Sequence, residues 1–105
     1  MTAIKSGSES DGPLAGLDAL RTKFYDRLRS DRALFQQARA NHDVEEQGRI
    51  AHGLAGLAGT FGFPAIGEAA FALKEQLRQP MRTDAVEQAI ATFYAKLDEA
   101  TSRSD

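Results

Sequence analysis

Hydrophobic residues recur every three to four positions along most of the chain, the spacing of one buried helix face, and no segment alternates like a β-strand. The first such pattern begins at Pro13, a residue suited to an initial helical turn. Ser30 and Asp31 are helix-capping residue types, so we predict a second helix, or a kinked continuation of the first, from there to about Ala40. The inward positions predicted for the first helix are Leu17, Leu20, Phe24 and Leu28.

A third helix is predicted after a turn at residues 41–43, where the side chain of Asp43 can cap its first turn. The helix should continue to about Phe61, because Gly62 and Pro64 are residues that stop a helix. Its predicted core face consists of Ile50, Leu54, Leu57 and Phe61, flanked by Ala51 and Ala58.

Two more amphipathic helices complete the pattern. Pro64 opens the fourth helix, Pro80 breaks the chain after it, and Thr83 or Asp84 caps the last helix. The predicted inward positions are Ile66, Ala70, Leu73 and Leu77 in the fourth helix, and Val86, Ile90, Phe93, Tyr94 and Leu97 in the last.

Five amphipathic helices joined by short turns favour antiparallel neighbours. We therefore predict an all-α fold, an antiparallel up-and-down four-helix bundle with an additional N-terminal helix. The chain of 105 residues fits one domain. We assign residues 13–101 to this domain, residues 1–12 to a flexible tail and residues 102–105 to a frayed end, because both termini are rich in small polar residues.

Composition excludes several classes of function. A net charge of −2 provides no basic field for nucleic acid. The absence of cysteine excludes disulfides and thiolate zinc sites, and with only two histidines available we expect no dedicated metal site. The N-terminus lacks the apolar core of a signal peptide, and the uncharged run of residues 53–67 is too short to span a bilayer, so we expect a cytoplasmic protein without a membrane contact.

The third helix carries an unusual combination of one histidine and several glycines. At about 100° per residue, His52 lies opposite the predicted core face. The positions one turn away are Gly48, Arg49, Ala55 and Gly56, with Gly59 one turn further on. Each helical glycine costs about 1 kcal/mol relative to alanine, so we interpret these residues as a smooth surface on which another protein docks around one exposed imidazole.

Other interpretations are open at this point. An exposed histidine is often simply solvated, which is how we interpret His42 in its polar turn, and small residues can also permit close helix packing. A phosphate-binding loop would end in Gly-Lys-Ser/Thr after a strand, and the sequence from Gly53 to Gly62 does not. Nucleophilic hydrolysis would need a Ser or Cys with a histidine and an orienting acid, and the sequence offers no such set.

The segment around His52 resembles the histidine phosphotransfer (HPt) domains of two-component phosphorelays. The matching positions are Ala51, His52, Leu54, Gly56, Ala58 and Gly62, and the sequence "FALKEQLR" is similar to the helix that follows in that family. The similarity extends roughly from Leu14 to Ala100. It implies that His52 accepts a phosphoryl group from one receiver domain and passes it to another, and that the partners are response-regulator receiver domains and a hybrid sensor histidine kinase. It also implies a monomeric phosphocarrier with no kinase or hydrolase activity of its own and no cofactor, the Mg²⁺ being bound by the receiver.

The chain departs from the family pattern at Ala55, where the family usually has a lysine three residues after its histidine. Arg49, one turn before His52, is then the nearest cation in this helix and a candidate substitute. By resemblance, Gly48, Arg49, Ala55, Gly56 and Gly59 form the surface on which a receiver docks. The alternative is a degenerate HPt-like adaptor that binds a receiver or kinase without being phosphorylated.

Overall fold

The chain folds as an antiparallel bundle in a computed structural model that describes residues 6–79 and 83–102, with side chains from Ala19 onward. Its elements are α1 (Ser6–Ala40), α2 (Val44–Leu57), α3 (Pro64–Leu77) and α4 (Asp84–Ser102). Helix α3 packs between α2 and α4, and α1 closes the bundle by contacting α2 and α4. The predicted all-α bundle is confirmed, and the described residues contain no strand. None of the described helices combines the length and hydrophobicity needed to cross a membrane.

Helix α1 differs from the prediction because it is one continuous helix of 35 residues. The capping types Ser30 and Asp31 lie in its interior, where Asp31 binds Arg27 one turn away instead of ending a helix. The apolar stripe continues through this point, since Leu28 and Phe35 are both fully buried. The additional N-terminal helix and the helix expected after it are therefore a single element.

Helix α1 begins at Ser6, so residues 6–12 are helical rather than part of a tail, and residues 1–5 lie outside the described part of the chain. Leu20 is 48% exposed, contrary to its predicted inward position. Phe24, one turn later, packs on the aromatic rings that follow α2, so Leu20 lies beyond that end of the core. The side chain of Leu17 is outside the described residues.

The core lies where the four helices meet. Phe35 and Phe93 form its centre, with ring centroids 5.1 Å apart in an edge-to-face arrangement. Four residues predicted to face inward are only partly buried at its edge: Leu57, Phe61, Leu77 and Tyr94. The predicted inward residues that are buried are Phe24, Leu28, Ile50, Ala51, Leu54, Ala58, Ile66, Ala70, Leu73, Val86, Ile90, Phe93 and Leu97.

The N-terminal end of α2 agrees with the prediction, whereas the helix was predicted to continue to about Phe61 and ends at Leu57. The carboxylate of Asp43 accepts a hydrogen bond of 3.0 Å from the Glu46 N–H, as its capping role predicts. After Leu57 the chain makes one further turn, which Gly62 closes at φ +89 while the Phe63 N–H donates to the Ala58 carbonyl. This arrangement needs a left-handed residue, which glycine supplies without strain.

The first residues of α3 and α4 agree with the prediction, and the last residue of α4 does not. Pro64 is the first residue of α3. The Thr83 carbonyl accepts the first hydrogen bonds of α4, from Val86 and Glu87. Ser102 still belongs to α4, although it was assigned to the frayed end, and residues 103–105 lie outside the described chain, as does the predicted break at Pro80.

Candidate functional site

His52 lies exposed near the middle of α2, on the side opposite the buried residues Ile50, Ala51 and Leu54. This is the position that helical periodicity predicted. The side chains of α2 that face the core hold the helix in the bundle, and the imidazole is left accessible to another molecule. An exposed imidazole can be approached in line by a phosphoryl donor.

Three glycines leave the surface around His52 open. A Cβ atom at Gly48, Gly56 or Gly59 would meet no neighbouring atom within 4 Å, so no part of the described chain packs on these positions. The close approach of α2 and α3 is made instead by Gly67, whose added Cβ would lie 3.7 Å from the Ala55 carbonyl oxygen. Close helix packing thus explains Gly67 and does not explain the other three glycines.

Arg49 lies one helical turn before His52 on α2, and its guanidinium binds the carboxylate of Glu46, a pairing that was not predicted. Its Nε donates to Oε1 of Glu46 at 2.7 Å, and a second nitrogen of the same guanidinium binds the other carboxylate oxygen. The hydrogen bond from Arg49 lowers the pKa of Glu46, and the same contact raises the pKa of Arg49. The pair therefore stays ionised at neutral pH, and Glu46 offsets part of the charge that Arg49 presents near His52. The spacing of Glu and Arg three residues apart was the available sequence signal.

A second cation reaches this surface from α1. The Nη2 atom of Arg27 lies 3.2 Å from the position that a Cβ of Gly53 would occupy, and its Nε donates to Asp31 at 3.1 Å. Gly53 is the residue directly after His52, so the guanidinium lies against the backbone of α2 next to the histidine. Sequence reasoning missed Arg27 because nothing local indicates which residue of α1 faces Gly53.

An apolar groove borders the glycine surface on the side of α3. Ala55 and Gly59, both predicted to belong to the docking surface, line it together with Phe71. Phe71 is 54% exposed, and the Lys74 ammonium lies 4.8 Å from the centre of its ring. The α3 pattern left Phe71 outside the core stripe, which was the signal that it faces solvent. The remaining lining residues are Pro64, Gly67 and Glu68.

The described part of the chain has no group of three His, Asp or Glu side chains arranged to hold a metal ion. The second histidine, His42, lies away from this surface in the turn between α1 and α2, next to Arg39, Val44 and Gln47. The site thus consists of one exposed imidazole on a glycine-rich surface, with arginines on the α1 side and an apolar groove on the α3 side.

Comparison with known proteins gives one family. The sequence model of the Hpt domain matches residues 19–103, which contain the candidate site and most of the bundle. No match was found among curated proteins or among solved structures.

Proposed function

Because the chain belongs to the Hpt domain family, whose members carry phosphoryl groups in two-component signalling, we propose that His52 is the residue that is phosphorylated. The main support for this proposal is that His52 is exposed at the centre of an open surface formed by Gly48, Gly56 and Gly59. In this relay, one receiver domain donates a phosphoryl group from its phospho-aspartate, and His52 later passes the group to a second receiver. A hybrid sensor histidine kinase is the expected source of the phosphoryl group.

The chemistry needs little from the chain besides the imidazole. The unprotonated ring nitrogen of a neutral imidazole provides the lone pair that attacks phosphorus without a neighbouring base. The N–P bond forms as the P–O bond of the acyl phosphate breaks, and the electron pair leaves with the aspartate carboxylate. The transferred group is stabilised by positioning and by cations, and the Mg²⁺ that does part of this is proposed to come with the receiver. The chain is then a phosphocarrier without kinase or hydrolase activity of its own.

The proposed docking surface comprises Gly48, Arg49, Ala55, Gly56 and Gly59, all on α2 or in the turn after it, together with Phe71 of α3. The glycines let the backbone of a receiver approach closely. The exposed ring of Phe71 provides a large apolar contact, of the kind that is enriched in protein interfaces. The monomeric state and the cytoplasmic location expected from the sequence stay predictions.

Replacing Phe71 by alanine should weaken binding of a receiver by about tenfold, the loss common for an interfacial aromatic residue. The stability of the domain should change by less than about 0.5 kcal/mol, because the ring is more than half exposed. Isothermal titration calorimetry with one receiver, and thermal unfolding, measure the two effects. Leu34→Ala is the matched control, since Leu34 is an exposed apolar residue (41%) on α1. Equal losses in both variants would place the interface elsewhere.

The Glu46–Arg49 pair gives a second prediction. Glu46→Gln should free Arg49 to face the phosphoryl group and so lengthen the lifetime of phosphohistidine, whereas Arg49→Ala should shorten it. Ala55→Lys adds a cation one turn beyond His52 and should also lengthen the lifetime, and raising the salt concentration should reduce all three effects. Decay of the phosphorylated protein after removal of the donor measures them. A normal lifetime in Arg49→Ala combined with a much longer one in Ala55→Lys would show that Arg49 does not substitute for the missing lysine.

The degenerate adaptor is the second candidate, and the observation that favours it is Ala55 in place of the usual lysine. An adaptor would bind a receiver through the same surface without forming phosphohistidine. Incubation with a phosphorylated receiver distinguishes the two functions, because a phosphocarrier acquires an acid-labile, base-stable phosphoryl group and an adaptor acquires none.

A further inference from the structure

We infer that Arg27 of α1 is a phosphoryl-binding residue of the His52 site and that Gly53 is glycine because the Arg27 side chain lies across it. This inference rests on the proposed function and adds to it a cation from a second helix. Its basis is the distance of 3.2 Å between Nη2 of Arg27 and the Cβ position of Gly53. This distance is shorter than an ordinary van der Waals contact, so a single methyl group at Gly53 would shift the guanidinium by a few tenths of an ångström and a longer side chain would displace it further.

The surface between Arg27 and His52 is open on the side of Gly56. On a helical wheel Gly53 lies about 100° from His52, and the arc between them holds only Gly56 and Arg49 among the residues within one turn. A Cβ at Gly56 would meet no atom within 4 Å, so the guanidinium of Arg27 can extend over Gly56 toward the imidazole. Gly53 directly follows His52, and consecutive Cα atoms are about 3.8 Å apart. The guanidinium of Arg27 therefore rests against the backbone residue next to the histidine.

Asp31 orients this arginine. Its side chain is only 14% exposed, and its Oδ2 accepts from Nε of Arg27 at 3.1 Å. Among the described residues Asp31 is the ionic partner of Arg27, and the contact uses Nε, so Asp31 does not occupy the two terminal nitrogens. A guanidinium held in this way can bind two oxygens of one phosphoryl group. Asp31 also acts on Arg49 through its charge, so both arginines belong to one cluster on the α1 side of His52.

The two arginines differ in what they can offer. Glu46 binds the guanidinium of Arg49 through two nitrogens, which occupies the donors that a phosphoryl group would use. Asp31 leaves both terminal nitrogens of Arg27 unused, and the guanidinium rests against Gly53, about 100° around α2 from His52 and within reach of it across Gly56. Arg27 thus provides a second cation, with terminal donors that Asp31 leaves unused, at a site where Ala55 stands in place of the usual lysine.

The test is a ³¹P NMR titration of the isolated, phosphorylated protein. Phosphoramidate serves as the donor: its P–N bond breaks, ammonia leaves, and the N–P bond to the imidazole forms, so no receiver is needed. A nearby cation favours the doubly charged phosphoryl group and lowers the midpoint of its titration. Arg27→Gln should therefore raise that midpoint by roughly 0.3 to 0.6 pH units, a range appropriate to a charge at a solvated surface. Arg29→Gln is the matched control, because Arg29 lies on another face of α1 and binds Asp26, and it should leave the midpoint unchanged.

A second substitution tests the role of Gly53. Gly53→Leu should raise the midpoint in the otherwise unchanged protein by displacing Arg27, and it should add nothing to Arg27→Gln. Circular dichroism should show unchanged helix content in both variants. An unchanged midpoint in Arg27→Gln, an equal shift in Arg29→Gln, or additive shifts in the double variant would overturn the inference while the phosphohistidine signal persists. Absence of that signal in the unmodified protein would instead refute the proposed function, and the inference with it.

Discussion

His52→Gln is expected to abolish phosphoryl acceptance and leave the fold intact. Glutamine has no ring nitrogen that can attack phosphorus, so neither a phosphorylated receiver nor phosphoramidate should label the variant. His52 is exposed, and its replacement should change the free energy of unfolding by less than about 0.5 kcal/mol. Radiolabel transfer and chemical denaturation measure the two outcomes. Labelling of the variant at the normal level would assign the phosphoryl group to another residue.

The control for this experiment is the other histidine. His42 has φ +56, in the left-handed region, so glutamine would add backbone strain that has nothing to do with phosphorylation. Asparagine tolerates this conformation and is the suitable replacement. His42→Asn should retain full phosphoryl acceptance, because the turn that holds it lies away from the glycine surface. Loss of acceptance in this variant would show that both histidines contribute.

Gly56→Leu should raise the stability of the domain and slow phosphoryl transfer from a receiver. Leucine is a better helix former than glycine by close to 1 kcal/mol, and no atom lies within 4 Å of the added Cβ, so the domain should become more stable. The leucine side chain would project one turn from His52 and obstruct a docking receiver, and we expect transfer to slow by about tenfold or more. Phosphorylation by phosphoramidate should be much less affected, because that donor is small.

Gly56→Ala provides the graded comparison. Its methyl group should give a similar gain in stability and a smaller loss of transfer. Thermal unfolding and single-turnover transfer from one phosphorylated receiver, measured on both variants, separate the two quantities. If Gly56→Leu lowers the stability of the domain, Gly56 packs against another part of the chain. If Gly56→Leu transfers at the normal rate, the receiver does not dock on this part of α2.

Local signals were sufficient to predict α2 and its histidine. The cap at Asp43 and the buried stripe through Ile50 and Leu54 each depend on neighbouring residues, and together they fix the face on which His52 lies, although α2 ends at Leu57 and not near Phe61. The same kind of signal misled at Ser30 and Asp31. Capping residue types also occur inside helices when the apolar stripe continues past them, as it does from Leu28 to Phe35.

The contacts that the sequence did not reveal are those between helices. Arg27 and Gly53 are far apart in the chain and meet only because α1 packs on α2 in one register. The open space at Gly56 and the tight approach at Gly67 are likewise set by packing, although both residues are glycines in helices. Periodicity assigns a residue to a face of its own helix, and it does not identify the neighbour on the next helix.

The central claim, that His52 carries a phosphoryl group between receivers, is tested most directly by a two-step transfer with the site mapped. The protein is incubated with one phosphorylated receiver, separated from it and analysed by mass spectrometry under alkaline conditions, and then mixed with a second, unphosphorylated receiver. We predict one phosphoryl group, located on His52, that moves to the aspartate of the second receiver. Stable binding to both receivers with no phosphoryl group on the chain would contradict the claim and identify the protein as an adaptor.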